Sequence, residues 1–261
     1  MKKITTSFTI LAFSLLVFLI SDANTAGKQF GKITLPIGRV EVQSAGSEKW
    51  KKAGLNKAVF VSDKIRTRAK SRAVIALTGG GEMRIGQNST LELMKAEVMA
   101  MQKDFLAYLE SGDVWVSAEA GFGVKNNVSV GTPTAVAAIR GTKYRAKAGD
   151  DESEVLVYNG KVDVNAAKNV IDERKDKRKS FAPGAPTGKP KFTLGPVTET
   201  KAPTQVSGPY EVTLEEWVTL AEGMQINVRK DGKFHMFEFD QSKDGDLEFV
   251  QWNKELDAAE K

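Results

Sequence analysis

The chain of 261 residues has no cysteine and one histidine, His235. The first absence excludes disulfides, a thiol nucleophile and zinc sites of the Cys/His type. The second leaves a Ser-His-Asp triad a single candidate, and a lone histidine is ordinarily a surface or packing residue. Proline is scarce outside one stretch: six of the eight fall between Pro183 and Pro209. Charge of one sign is also lacking. The formal net charge of +5 is spread along the chain and gives no nucleic-acid signal. After the N-terminal apolar stretch, no run is long enough to span a bilayer.

That N-terminal stretch reads as an export signal. Lys2 and Lys3 precede an apolar run from Phe8 to Ile20, followed by the small residues Ser21, Ala23 and Ala26. A signal peptide is expected over 1–26, cleaved after Ala23 or Ala26, with a periplasmic or secreted product. With no cysteine after the run, a lipid anchor is excluded. Once cleaved, the chain has no membrane span; if the segment is retained, it is an anchor and the protein is membrane-tethered.

The mixed charge run Asp172–Lys179 leads into the proline cluster, so 172–209 reads as a linker. It separates a body, 27–171, from a small α+β unit, 210–261. In the body one phrase occurs three times, Gly38-Arg-Val-Glu-Val, Gly112-Asp-Val-Trp-Val and Gly160-Lys-Val-Asp-Val, with valines at period two. Turn residues recur at short intervals, and Asn159-Gly160 between alternating runs is the strongest hairpin cue. The expected fold class is mainly β, a sandwich, roll or short solenoid of many short antiparallel strands. Residues 94–103 fit both a helix, through Met94, Val98, Met101 and Phe105, and a strand; a strand is expected from about 104.

The stretch Val128–Gly149 is not a phosphate loop. Gly131 and Gly141 are ten residues apart, and the residues after Gly141 alternate as a strand. It also lacks the serine of a nucleophile elbow. The reading is strand, tight turn at Arg140-Gly141, strand, with small residues that let layers approach. The run Val130–Ala146 followed by Glu154–Val164 resembles the hallmark of the FecR domain family. So do Trp50, Phe60–Leu77 with Asp63, Met83–Leu93 and Leu109–Val116. The resemblance covers about 38–165 and departs at Gly79–Glu82, where the family more often has Asp-Gly-Ser. It implies a periplasmic, mostly β, non-enzymatic sensing or interaction module without a cofactor. Sigma-regulating members carry a cytoplasmic domain before a membrane span; here only a few residues precede the apolar run, so a stand-alone exported protein is expected. Its partner is expected to be an envelope protein or an anionic surface component.

Lys64, Arg66, Arg68, Lys70 and Arg72 occupy alternate positions. Extended, they would share one face and form, with Arg140, a candidate anion or partner patch. A turn near Ala69 would instead splay them into a solvated tip, since mixed basic edges also guard sheets against aggregation. Asp240, Ser242, Asp244, Gly245 and Asp246 resemble a calcium loop, but Gln251 stands where the bidentate glutamate belongs and a strand pattern precedes it; no metal site is assigned. In the C-terminal unit, Thr213 and Glu216 suggest a capping box for a helix 214–221, closed by Gly223. A hairpin turning at Asp231-Gly232 follows, then a helix from Leu247 carrying Phe249, Trp252 and Leu256. Trp217 and Trp252 are expected in a small core of this unit.

Overall fold

The computed structural model describes residues 27–118, 125–140, 142–167, 212–214 and 216–259. These residues are mostly β. In chain order the strands are β1 (Gln29–Ile37), β2 (Val40–Gln43), β3 (Trp50–Lys52), β4 (Lys57–Phe60), β5 (Lys64–Thr67), β6 (Arg72–Leu77), β7 (Glu82–Ile85), β8 (Thr90–Val98) and β9 (Gln102–Ser117). They continue with β10 (Lys125–Gly131), β11 (Ala135–Arg140), β12 (Lys143–Ala148), β13 (Glu152–Asn159), β14 (Lys161–Ala166), β15 (Val212–Thr213), β16 (Val218–Ala221), β17 (Met224–Arg229) and β18 (Lys233–Glu238). Two helices close the chain, α1 (Gln241–Gly245) and α2 (Glu248–Ala259).

The strands form two sheets. Sheet A runs β4-β1-β6-β7-β9-β12-β13-β17-β18-β15. Sheet B runs β3-β2-β5-β8-β9-β10-β11-β14-β16. The long strand β9 belongs to both: its first half pairs with β8 and, in parallel, with β10, and its second half with β7 and β12. The helical alternative for 94–103 is thereby resolved as a strand hairpin, because β8 continues pairing with β9 as far as Val98.

The repeated phrase marks the points where the chain changes sheet. Gly38 lies between β1 of sheet A and β2 of sheet B, Gly112 at the switch within β9, and Gly160 between β13 of sheet A and β14 of sheet B. All three adopt positive φ, +73°, +91° and +83°. A Cβ at Gly112 would stand 2.1 Å from Ser89 Oγ and 2.6 Å from Ser89 Cα, so backbone sign and close approach both demand glycine. The Ser89 hydroxyl accepts from Asp113 N–H at 3.0 Å, and Ser71 accepts in the same way from Arg39 N–H at 2.8 Å. The valines that follow, Val40, Val42, Val114, Val116, Val162 and Val164, all enter one core between the sheets.

Three local expectations are corrected. Asn159-Gly160 does not close a hairpin: β13 pairs with β12 and β17, and β14 with β11 and β16. Nor do β11 and β12 pair across Arg140-Gly141; they lie in different sheets, and Gly141 itself is outside the described residues. The hairpin in this stretch is one turn earlier, where Thr132 Oγ1 donates to the Ala135 carbonyl and accepts its N–H, each at 2.9 Å, between β10 and β11. The helix expected over 214–221 is replaced by β16, whose Leu220 is buried opposite Val162 while Thr219 donates to Asp163 at 2.6 Å.

The C-terminal strands do not build a separate small core. Leu214, Leu220, Ile226 and Val228 belong to the same apolar cluster as the body valines, Trp217 is exposed, and Thr134 Oγ1 donates to the Val228 carbonyl at 2.7 Å. The helix from Leu247 and the turn at Asp231-Gly232 stand where the sequence places them, but α2 buries Val250 and Asn253 most deeply. The stretches 1–26 and 172–209 lie outside the described residues.

Gly112→Ala is expected to lower stability by about 3 kcal/mol, combining positive-φ strain with the Ser89 clash. Gly46→Ala, at φ +72° with open space around it, is expected to cost about 1 kcal/mol. Denaturant melts compare the two; equal losses would show that Ser89 can yield.

Candidate interaction surface

The outer face of sheet B carries a charged cluster built from three neighbouring strands. Alternation in β2 turns Val40 and Val42 inward and Glu41 outward, opposite Lys52 of β3 and Arg66 of β5. Three guanidinium groups converge on the Glu41 carboxylate: Arg66 at 2.6 Å, Arg39 at 2.9 Å and Arg68 at 3.3 Å. One carboxylate cannot neutralise three arginines, so the group keeps an excess of positive charge. Arg66 also stacks over the Trp50 ring, 4.0 Å from its centroid. The hydrogen bond from Arg66 is the main cause holding the Glu41 carboxyl down at about 2, with Arg39 adding to it and burial opposing.

The residues expected to form one basic face are divided. Arg66 and Arg68 meet at Glu41. Lys64 lies on the same strand but is held by Glu92, at 3.3 Å, and by Glu110. Lys70 sits in the turn at φ +54°, and the chain then crosses to sheet A. Arg72 therefore faces the C-terminal helix, where it pairs with Glu248 and lies over the Trp252 ring. The backbone of Arg140 ends β11, and its side chain lies outside the described residues. The extended five-residue face is thus corrected in favour of the splayed turn, because β5 and β6 belong to different sheets. Arg39 and Lys52 join the cluster without having been singled out from sequence; the only cue to Arg39 was its place in the first Gly-x-Val-x-Val phrase.

The outer face of sheet A carries a second constellation. Arg84 is fully buried and bonds Glu82 at 2.9 Å, Asp257 at 2.6 Å and the Asn253 carbonyl at 3.0 Å. Arg145 bridges Asp113 at 2.8 Å and Asp244 at 2.9 Å, and Tyr158 donates to Asp244 at 2.6 Å. Burial foremost, then Asp244, pushes the Tyr158 phenol up and keeps it protonated. These contacts fasten α1 and α2 to the sheet. They also dispose of the calcium-loop resemblance: Asp240 caps α1 and Asp244 is engaged by Arg145 and Tyr158. Among the described residues no group of three or more His, Asp or Glu could hold a metal ion.

The fold defines a two-sheet β protein with charged outer faces. Residues 63–163, from β5 into β14, match the model of the FecR protein family, consistent with a FecR family protein. No curated protein matches the chain. Two crystal structures of a candidate anti-sigma factor from Parabacteroides distasonis ATCC 8503 align with 70% of this chain at 16% identity and a TM-score of 0.44. The aligned part covers 63% and 62% of those chains, less than two thirds of their length. Among the described residues no helix is long and apolar enough to cross a membrane.

Because the Glu41 carboxyl is depressed in the folded protein, the stability it contributes is present above its ordinary range near 4.5 and is lost as pH falls through about 2. Glu41→Gln is expected to melt lower than wild type at pH 7, with the gap closing between pH 4.5 and 2. Thermal melts across that window check it; a gap independent of pH would contradict the ionic account.

Proposed function

We propose that this chain is an exported, non-enzymatic FecR-domain module of a bacterial envelope signalling system, and that it docks an anionic partner protein on the outer face of sheet B. The FecR match over 63–163 supports the signalling class. The observation that carries the docking reading is the convergence of Arg39, Arg66 and Arg68 on the single carboxylate of Glu41, with Trp50 alongside. Exposed arginines held in register by a sheet bind carboxylate surfaces bidentately without first paying to be ordered. Trp50 adds flat apolar area of the kind that anchors interfaces. Glu41 keeps the cluster folded in isolation and sets a threshold that weak anions do not pass.

The N-terminal segment separates this reading from its alternative, a membrane-tethered signal-transduction component. N-terminal sequencing of protein recovered from cells yields Asn24 or Gly27 for an exported, cleaved chain and Met1 for a retained anchor.

The double variant Arg39→Glu/Arg68→Glu places charge reversals on two largely solvent-facing side chains and should leave the fold intact. It is expected to lose the partner that wild type captures from envelope extract, in a salt-dependent manner, with the β-sheet circular dichroism of wild type retained and a lower melting temperature, since Glu41 loses two of its three guanidinium partners. Capture of the same partner by both proteins would remove this surface from the account.

A further inference from the structure

A cleft of about 400 Å³ lies between α2 and the outer face of sheet A. That is within the range of roughly 300–1,000 Å³ typical of small-molecule sites. Its wall on the sheet side is aromatic: Trp115 of β9 and Tyr158 of β13 stack with centroids 4.2 Å apart and planes 32° from one another. Its remaining lining is rich in hydrogen-bond donors, with Lys143 and Asn159 from the sheet and Gln241 and Lys254 from the two helices.

The charge balance favours an anion. Asp257 is the one carboxylate in the lining, and it is already engaged by Arg84 at 2.6 Å and Lys143 at 3.4 Å. Lys254 is exposed and makes no ion pair among the described residues. Trp115 is only 1% exposed, yet its indole N–H has no hydrogen-bond partner. Tyr158, half-buried and stacked on Trp115, offers a flat apolar surface to the cleft.

We propose that this cleft binds a small organic carboxylate with a flat apolar body. The carboxylate pairs with Lys254, and the body lies against the ring of Tyr158, which stacks on the buried Trp115 and makes its indole resonance a reporter of binding. Lys254, Gln241 and Asp257 come from the C-terminal helices, whereas Trp115, Lys143 and Tyr158 come from the FecR-matched segment. A bound carboxylate therefore bridges the two and strengthens the docking of the helices by mass action. The site is on the opposite sheet from the arginine cluster, so it stands or falls independently of the docking reading.

Benzoate is the probe, and benzyl alcohol is its uncharged counterpart. In 15N-resolved NMR of the full protein, the Trp115 indole resonance, assigned by its disappearance in Trp115→Phe, is expected to shift saturably with benzoate and not with benzyl alcohol. Lys254→Ala, at an exposed position, is expected to weaken benzoate about tenfold, the scale of one charge-assisted hydrogen bond, while the rest of the spectrum stays in place. No saturable shift with benzoate would overturn the proposal, as would equal binding of benzyl alcohol or undiminished binding by Lys254→Ala.

Discussion

The architecture depends on one strand serving two sheets. β9 can leave sheet B and enter sheet A only because Gly112 takes a positive φ directly against Ser89, whose hydroxyl then holds the next backbone N–H. The same device operates at Gly38 over Ser71. At Gly160 it is Thr142 that lies beneath the glycine, its Cγ2 2.5 Å from where a Cβ would be. After each corner two valines drop into the core. A glycine corner over a serine or threonine side chain, followed by two alternating valines, is a unit that this chain uses three times to wind between layers; at two of the three the serine hydroxyl accepts the next backbone N–H. Because both sheets bury their inner faces on the same valines, a fault at one corner propagates to both.

The distinctive Thr-Pro and Gly-Thr words of the FecR-like segment take physical roles in this scheme. Thr132 closes the turn from β10 to β11, Thr134 holds the carbonyl of Val228 in β17, and Thr142 fills the space under Gly160. None of these roles is catalytic. Two of the three are contacts with another part of the chain.

The β class and the inward valines were legible in the sequence because alternation is a local signal. The partner of each strand was not. Asn159-Gly160 and Arg140-Gly141 carry turn residues, and a positive-φ glycine serves a sheet switch as readily as a hairpin. Thr213 and Glu216 imitate a helix cap, but Leu220 finds Val162 across a sheet, and that long-range contact outweighs local preference. The candidate surface was half legible. Arg66 and Arg68 stood out as part of a basic run, whereas Glu41 and Arg39 are recognisable only once β2 is known to pair with β5. The same crossing that joined those residues carried Arg72 away to the other sheet.

The two outer faces thus have different characters. On sheet A, arginines are matched by Glu248, Asp257 and Asp244 from the C-terminal helices. On sheet B, Glu41 leaves its arginines in excess. This division requires the C-terminal strands and helices to be part of one cooperative structure with the FecR-matched segment, as the pairing of β13 with β17 and β14 with β16 indicates. Native-state hydrogen exchange followed by mass spectrometry tests that most directly. Peptides covering 152–166 and 218–229 are expected to lose protection together, with the same opening free energy. Early exchange of 218–229 while 152–166 stays protected would contradict the account.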